Sequence, residues 1–446
     1  SGPVVATGPA PPRRPSVALL SARRLPSVLV RPVARRALLA ATSPVVAAAP
    51  PASCVVVRDG GADLVSVRPT TDLAPASNMK LVTAAVALDV LGPTTRLTTK
   101  VLGPRPVGGT VDGDLVLVGG GDPLLTTDTG RSLFTHGPQP VTSMEALADR
   151  VVAAGVRRVT GSVVGDGSRH VPVRSLEGWP RRFVGNGIVA PLSALLVNDG
   201  WRVSALPPAT GGGPAADPDA HAAEVLRELL VARGVTVDGP SRAGTASGGA
   251  EVLTSIPSLP VSALVAEMLT FSDNTTAELL LREVDRARGG RGGTRGGAAV
   301  AARWLADHYP DDRPATVVDG SGLSSTNRIT CDLLVDLLED DGVAGPVAEG
   351  LARPGRAGTL DDRLRGAEVR DRVRAKTGTL NDVTALSGWV RTARDRDLAF
   401  SVVENTGARR VGAADLAVQA RLVEALVSYP AGPSADDVAP GPAAAR

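Results

Sequence analysis

The spacing of apolar and polar positions changes rhythm several times along this chain, and each change predicts an element. A Pro/Ala-rich lead gives way to a helical repeat over Val33–Val46. Cys54-Val55-Val56-Val57 and Leu64-Val65-Ser66-Val67 then flank Asp59-Gly60-Gly61, two apolar runs around a turn signal, which predicts a β-hairpin. The run Leu81 to Leu91 is a helix that stops at Gly92-Pro93. From Thr94 the pattern shortens: Arg96–Leu102, Gly113–Val118 and Gly161–Val164 read as strands, with Gly119-Gly120-Gly121-Asp122-Pro123 a tight loop. Met144–Ala154 and Ala222–Arg233 are helical, the stretch from Trp179 to Trp201 is loop-rich, and residues 207–219 read as a mobile Pro/Gly/Ala/Asp segment.

Helical spacing returns at Val261–Leu269, breaks at Phe271-Ser272-Asp273-Asn274 and resumes over Thr275–Val284, Ala298–His308 and Asp332–Leu338. Asp319-Gly320-Ser321-Gly322-Leu323-Ser324 is a tight polar loop. Arg372–Ala375, Ala385–Val390 and Leu398–Val403 are strands, and Gly412–Ser428 is a closing helix. The β-rich block over residues 95–258 therefore reads as an insertion that splits one domain into residues 53–94 and 259–429. Residues 1–52 form a lead with a short helix, and residues 430–446 a Pro/Ala/Asp tail expected to be disordered.

Composition narrows the function. The 446 residues give room for two or three domains. A net charge of +2 points to no nucleic-acid partner, and no apolar run reaches the roughly 18 residues of a membrane span. The chain opens on Ser1 rather than Met, so the natural N-terminus is expected to have been removed or replaced, and a signal peptide or anchor could have gone with it. Membrane association would have to come through that missing segment. Cys54 and Cys331, the only cysteines, suit either buried thiols or one disulfide. His136, His170, His221 and His308 lack ligand spacing and read as surface or packing residues, so no metal and no cofactor is expected.

Lysine usage changes the picture most. Only Lys80, Lys100 and Lys376 are lysines among 48 basic residues, the rest being arginine. An amine can lose its proton at an accessible pH and a guanidinium effectively cannot, so lysine here looks chosen. Lys80 lies in Pro75-Ala76-Ser77-Asn78-Met79-Lys80, where Ser77 and Lys80 are one helical turn apart on one face. A hydroxyl near a helix N-terminus with an amine in reach is the start of a serine acyl-transfer site. Ser272-Asp273-Asn274 falls at a helix–loop–helix break, and Lys376-Thr377-Gly378-Thr379 ends a strand whose edge a substrate backbone can approach.

Ser-x-x-Lys, Ser-x-Asn and Lys-Thr-Gly in this order are the set of the penicillin-binding proteins and β-lactamases. From about residue 53 to 428 the chain resembles the class C low-molecular-mass penicillin-binding proteins, the D-alanyl-D-alanine carboxypeptidases/endopeptidases of peptidase family S13. The nucleophile helix, Gly113-Asp114-Leu115 through Asp122-Pro123, Asp319 to Ser324 and Ala375 to Thr379 all carry that resemblance. It implies an α/β (α+β) transpeptidase-like domain split by the insertion, with the family's small third domain reduced or missing. It further implies Ser77 as nucleophile, Lys80 as base, Ser272 and Asn274 as partners, and Lys376, Thr377, Gly378 and Thr379 at the substrate strand. The partners implied are peptidoglycan peptides, with β-lactams as inhibitors, outside the cytoplasmic membrane. There disulfides persist, so Cys54 and Cys331 are expected to pair. Asp166 looks like the family's reader of a stem-peptide amine. Ser325 stands where relatives carry an arginine, and Arg328 is the candidate substitute. A β-lactamase and a penicillin-sensing receptor are the competing readings, and a purely structural cell-wall protein is the third.

Overall fold

The computed structural model describes residues 26–133, 138–209, 211–247, 250–310 and 315–430. The lead over residues 1–25, the tail from residue 431 and His136 lie outside the described residues.

A five-stranded antiparallel sheet is assembled from both ends of the chain, in the order Val373–Thr379, Val383–Arg391, Asp397–Asn405, Ala52–Asp59, Ala62–Val67. Its strands are apolar at consecutive positions because both faces are covered. Cys54 and Val56 point into one core with the helices Met79–Leu91, Val261–Phe271, Asn274–Ala287 and Cys331–Asp341. Val55 and Val57, on the alternate face, pack with the helices Pro26–Ala48 and Ala413–Val427. The sheet is thus the middle layer of three, and Met79–Leu91 runs through the thicker helical layer. That helix is buried nearly all round, which fits its lack of a polar stripe.

Residues 96–260 form sheets of their own. Arg242–Ala243, Val163–Asp166, Leu115–Val118, Arg96–Gly103 and Glu251–Pro260 make a mixed five-stranded sheet with a separate core around the helices Met144–Ala153 and Pro218–Val231. Two local expectations need correcting. The first helix spans Pro26–Ala48, longer at both ends than Val33–Val46, with Pro32 and Pro44 inside it. Residues 207–219 are partly ordered: Gly211–Pro214 pairs with Trp201–Val203, and Asp217 caps the helix that Pro218 begins. Cys54 and Cys331 are joined as a disulfide.

Candidate active site

Pro75 leads a 3-10 turn, Ala76–Asn78, that delivers the chain into the helix Met79–Leu91. Ser77 sits in this turn rather than in the helix proper, half-buried and reachable, with Lys80 fully buried one turn on. Lys80 Nζ lies 3.0 Å from Ser77 Oγ, 2.7 Å from Asn274 Oδ1 and 2.7 Å from the Ser321 carbonyl oxygen. Burial lowers the Lys80 pKa to about 8, although Asp273, Asp319, Glu278 and Glu267 all favour its charged form.

Ser-Asp-Asn forms the break between two helices. Ser272 adopts a left-handed conformation (φ 62°) at the end of Val261–Phe271, and the Asp273 carboxylate caps the next helix by accepting the Thr276 N–H. Asn274 Nδ2 donates to the Ile188 carbonyl at 2.7 Å, which turns its Oδ1 toward Lys80. Among the described residues Ser272 makes no hydrogen bond to Ser77, Lys80 or Lys376. It lines a cavity of about 490 Å³ together with Asn274, Phe271, Ile188 and Trp201.

Lys376, Thr377, Gly378 and Thr379 lie within the strand Val373–Thr379, which runs against the Ser77 turn. A Cβ on Gly378 would stand 2.8 Å from Asn78 Nδ2, 2.9 Å from the Pro75 carbonyl oxygen and 3.2 Å from Ser77 N, so only glycine allows this approach. Asn78 Nδ2 also donates to the Lys376 carbonyl. Lys376 is fully buried and its Nζ donates to the Thr377 carbonyl at 2.9 Å. Burial, with the charge of Lys80 nearby, pushes its pKa well down. Thr377 Oγ1 donates to Thr359 Oγ1, and Thr379 is exposed.

Asp166 is not brought to this cluster by any hydrogen bond. Its buried carboxylate accepts the N–H groups of Ser168 and Ala246, one on each oxygen, within the 96–260 region. Arg328 donates to the carbonyls of Ser325 and Asn327. His170 is buried beside Glu283, 2.7 Å from its carboxylate.

Sequence reasoning missed the groups that hold the named residues. The segment between Arg174 and Leu192 reaches from the 96–260 region onto the site: Trp179 Nε1 donates to Asp319 Oδ2, and the Ala190 N–H donates to Thr275 Oγ1. Asp319 also accepts from the Gly322 and Ser324 N–H groups and from Asn327 Nδ2. Gly322 (φ 82°) lies so close to the Ala76 carbonyl that a side chain has no room. The two glycines of Asp-Gly-Ser-Gly were the available signal for this close approach; the carbonyls of Ser321 and Ile188 had none.

A serine hydroxyl beside a buried lysine, flanked by a Ser-x-Asn turn and a Lys-Thr-Gly strand, defines a serine acyl-transfer enzyme of the penicillin-interacting class. The chain belongs to the D-Ala-D-Ala carboxypeptidase 3 (S13) family, whose model matches residues 40–216 and 208–425. A D-alanyl-D-alanine carboxypeptidase from an Actinomadura species is 31% identical, over 83% of this chain and 78% of that protein. The crystal structure of penicillin binding protein 4 from Haemophilus influenzae shares the fold, with a TM-score of 0.72 at 20% identity over 87% of this chain and 99% of that one. The same Haemophilus protein complexed with a novel β-lactam matches with a TM-score of 0.67 at 19% identity, over the same shares of the two chains.

Proposed function

We propose that this chain is a serine D-Ala-D-Ala carboxypeptidase/endopeptidase that cleaves peptidoglycan stem peptides through an acyl-enzyme on Ser77, and that β-lactams acylate the same hydroxyl. The observation that carries this reading is the surroundings of Lys80 Nζ. A neutral amine has two N–H bonds and one lone pair. Two of its three neighbours, Asn274 Oδ1 and the Ser321 carbonyl, can only accept, so they take the two N–H bonds. The lone pair is left facing the one neighbour that can donate, the Ser77 hydroxyl. Burial supplies the neutral form at an accessible pH.

Attack of Ser77 Oγ on the carbonyl of the D-Ala-D-Ala bond passes the hydroxyl proton to Lys80 Nζ. The N–H groups of Ser77 and Thr379 are the donors assigned to the oxyanion, each worth about 3–4 kcal/mol. Collapse expels the terminal D-alanine, whose amine takes a proton through Ser272, and water then releases the acyl group and restores Ser77. Lys376, with Thr377 or Thr379, is assigned to the terminal carboxylate, and Asn274 to the acyl side chain. In this reading residues 53–94 and 259–429 form the catalytic domain, with 95–258 inserted, and the protein works outside the cytoplasmic membrane, where peptidoglycan lies.

The test is intact-mass spectrometry after incubation with a β-lactam, alongside release of D-alanine from a D-Ala-D-Ala peptide. One covalent adduct is expected on the wild type, none on Ser77→Ala, together with D-alanine release by the wild type. An adduct that persists on Ser77→Ala removes the nucleophile assignment. Acylation without turnover of the peptide turns the reading to a penicillin-sensing receptor.

A further inference from the structure

We propose that Glu278 is a positioning residue for the base: it holds the Ser321 backbone so that the Ser321 carbonyl takes one N–H of Lys80 and leaves the lone pair on Ser77. This rests on the acyl-enzyme reading above and deepens it.

Glu278 lies on the helix Asn274–Ala287, one turn beyond Asn274 and on the same face. Its side chain is fully buried, and Oε1 accepts both the Gly320 N–H at 2.9 Å and the Ser321 N–H at 2.8 Å. From the other side Thr83 Oγ1, three residues beyond Lys80, donates to the Gly320 carbonyl at 2.7 Å. With its N–H pinned by Glu278, Ser321 presents its carbonyl to Lys80 Nζ at 2.7 Å. One helix rim therefore supplies both acceptors that orient the lysine: Asn274 directly, and Ser321 through Glu278. Without this hold the Ser321 carbonyl is free to turn away, and the lone pair of Lys80 is no longer aimed at a single neighbour.

Glu278 also acts by charge. Lys80 is faced by Asp273 at the start of the helix that carries Glu278, Glu267 on the helix before that one, Asp319 in the loop and Lys376 on the strand. Glu278 is faced by Asp319 and Arg282, while Asp199 lies beside Asp273 and Glu267. Burial, with Asp319 nearby, pushes the Glu278 carboxyl up to about 7, so above that pH, where Lys80 titrates, it is negative and favours protonated Lys80. Its removal should lower the Lys80 pKa, so that the base becomes free at lower pH.

Two variants separate the two actions, with the rate of β-lactam acylation measured against pH. Glu278→Ala loses both N–H acceptors, and its acylation rate should fall by about tenfold to a hundredfold, the scale of a misplaced reacting group. Glu278→Gln keeps an acceptor oxygen without the charge. It should recover most of the Ala loss and move the acidic limb of the profile to lower pH, a shift that mere loosening of the fold does not produce. Acylation of a folded Glu278→Ala within about twofold of wild type overturns the proposal. So does a Glu278→Gln profile whose acidic limb stays at the wild-type pH, and this variant decides the matter alone if the alanine protein does not fold. Failure of wild type to form an adduct on Ser77 would instead strike at the acyl-enzyme reading itself.

Discussion

Glu404 is fully buried on the strand Asp397–Asn405, opposite Thr384 in the sheet register. Burial, with Asp415 adding repulsion, pushes its carboxyl up to about 8 from the usual 4.5, while Gln419 and Arg409 pull the other way. Between pH 4.5 and about 8 the folded protein therefore holds a proton here that the unfolded chain has already given up. The stability from this residue is full below about pH 4.5 and is lost as pH rises through about 8. Glu404→Gln lacks that loss. The stability of the variant minus that of wild type should climb from pH 5 to 8 and level off above, measured as thermal midpoints in a pH series. Taking the difference cancels the buried carboxyls near Lys80, which also titrate high. A flat difference would mean that Glu404 titrates as an exposed glutamate. At this scale Ser77, Lys80 and Lys376 were legible because lysine is scarce and each motif pairs reactive side chains at short spacing. Glu278 and Glu404 were not, because their importance comes from burial against groups distant in the chain. Asp166 looked like a substrate reader by motif; the backbone N–H groups that fix its carboxylate, those of Ser168 and Ala246, had no signal in the sequence.

Long helices could be read from their period and the central strands from their apolar runs, but elements whose order depends on a neighbour could not. Glu251–Pro260 contains Pro257 and Pro260, which argue against a strand. It is nevertheless paired, because it lies at the edge of its sheet and its register shifts near those prolines. The stretch from Trp179 to Trp201 read only as loop-rich, whereas its part up to Leu192 forms the wall that sets the Asn274 amide. Trp179 anchors it twice, by its N–H to Asp319 and by packing with Phe183, Val189, Leu192 and Leu323. Trp179→Phe keeps most of the apolar contact and removes the donor. The loss of one hydrogen bond to a buried carboxylate should cost about 1.5–3 kcal/mol. Acylation of Ser77 should slow by about threefold to tenfold, because the Ile188 carbonyl is then less firmly held against Asn274. Denaturation and acylation rates on the same protein check both. Lower stability with an unchanged acylation rate would make the segment a structural cover and no part of the site.

Across the whole molecule, the catalytic sheet must close around a long insertion, and its first strand is tied to the helix Cys331–Asp341 by two independent means. Cys54 in the strand Ala52–Asp59 is bonded to Cys331 at the start of that helix, 277 residues on in the chain. Four residues along the same strand, Arg58 reaches Asp332, Asp336 and Glu339 on the helix, as well as Asp63 on the neighbouring strand. Cysteine count and spacing alone left their state open, and the pairing was expected only through the family resemblance, because only the closed fold brings two positions so far apart within reach. A covalent link over so long a loop limits the unfolded chain, and such links contribute typically about 2–4 kcal/mol. Thiol counting under denaturing, non-reducing conditions should find no free thiol. Cys54→Ser with Cys331→Ser should lose stability on that scale while the Arg58 network keeps the strand and helix in register. Because neither cysteine is among the hydrogen-bond partners of Lys80, the acylation rate at a temperature well below the unfolding midpoint should stay within about twofold of wild type. Two free thiols in the native protein would refute the link. A collapse of acylation in the folded double variant would show that the Arg58 contacts alone cannot hold the helix Met79–Leu91 in place beneath the sheet.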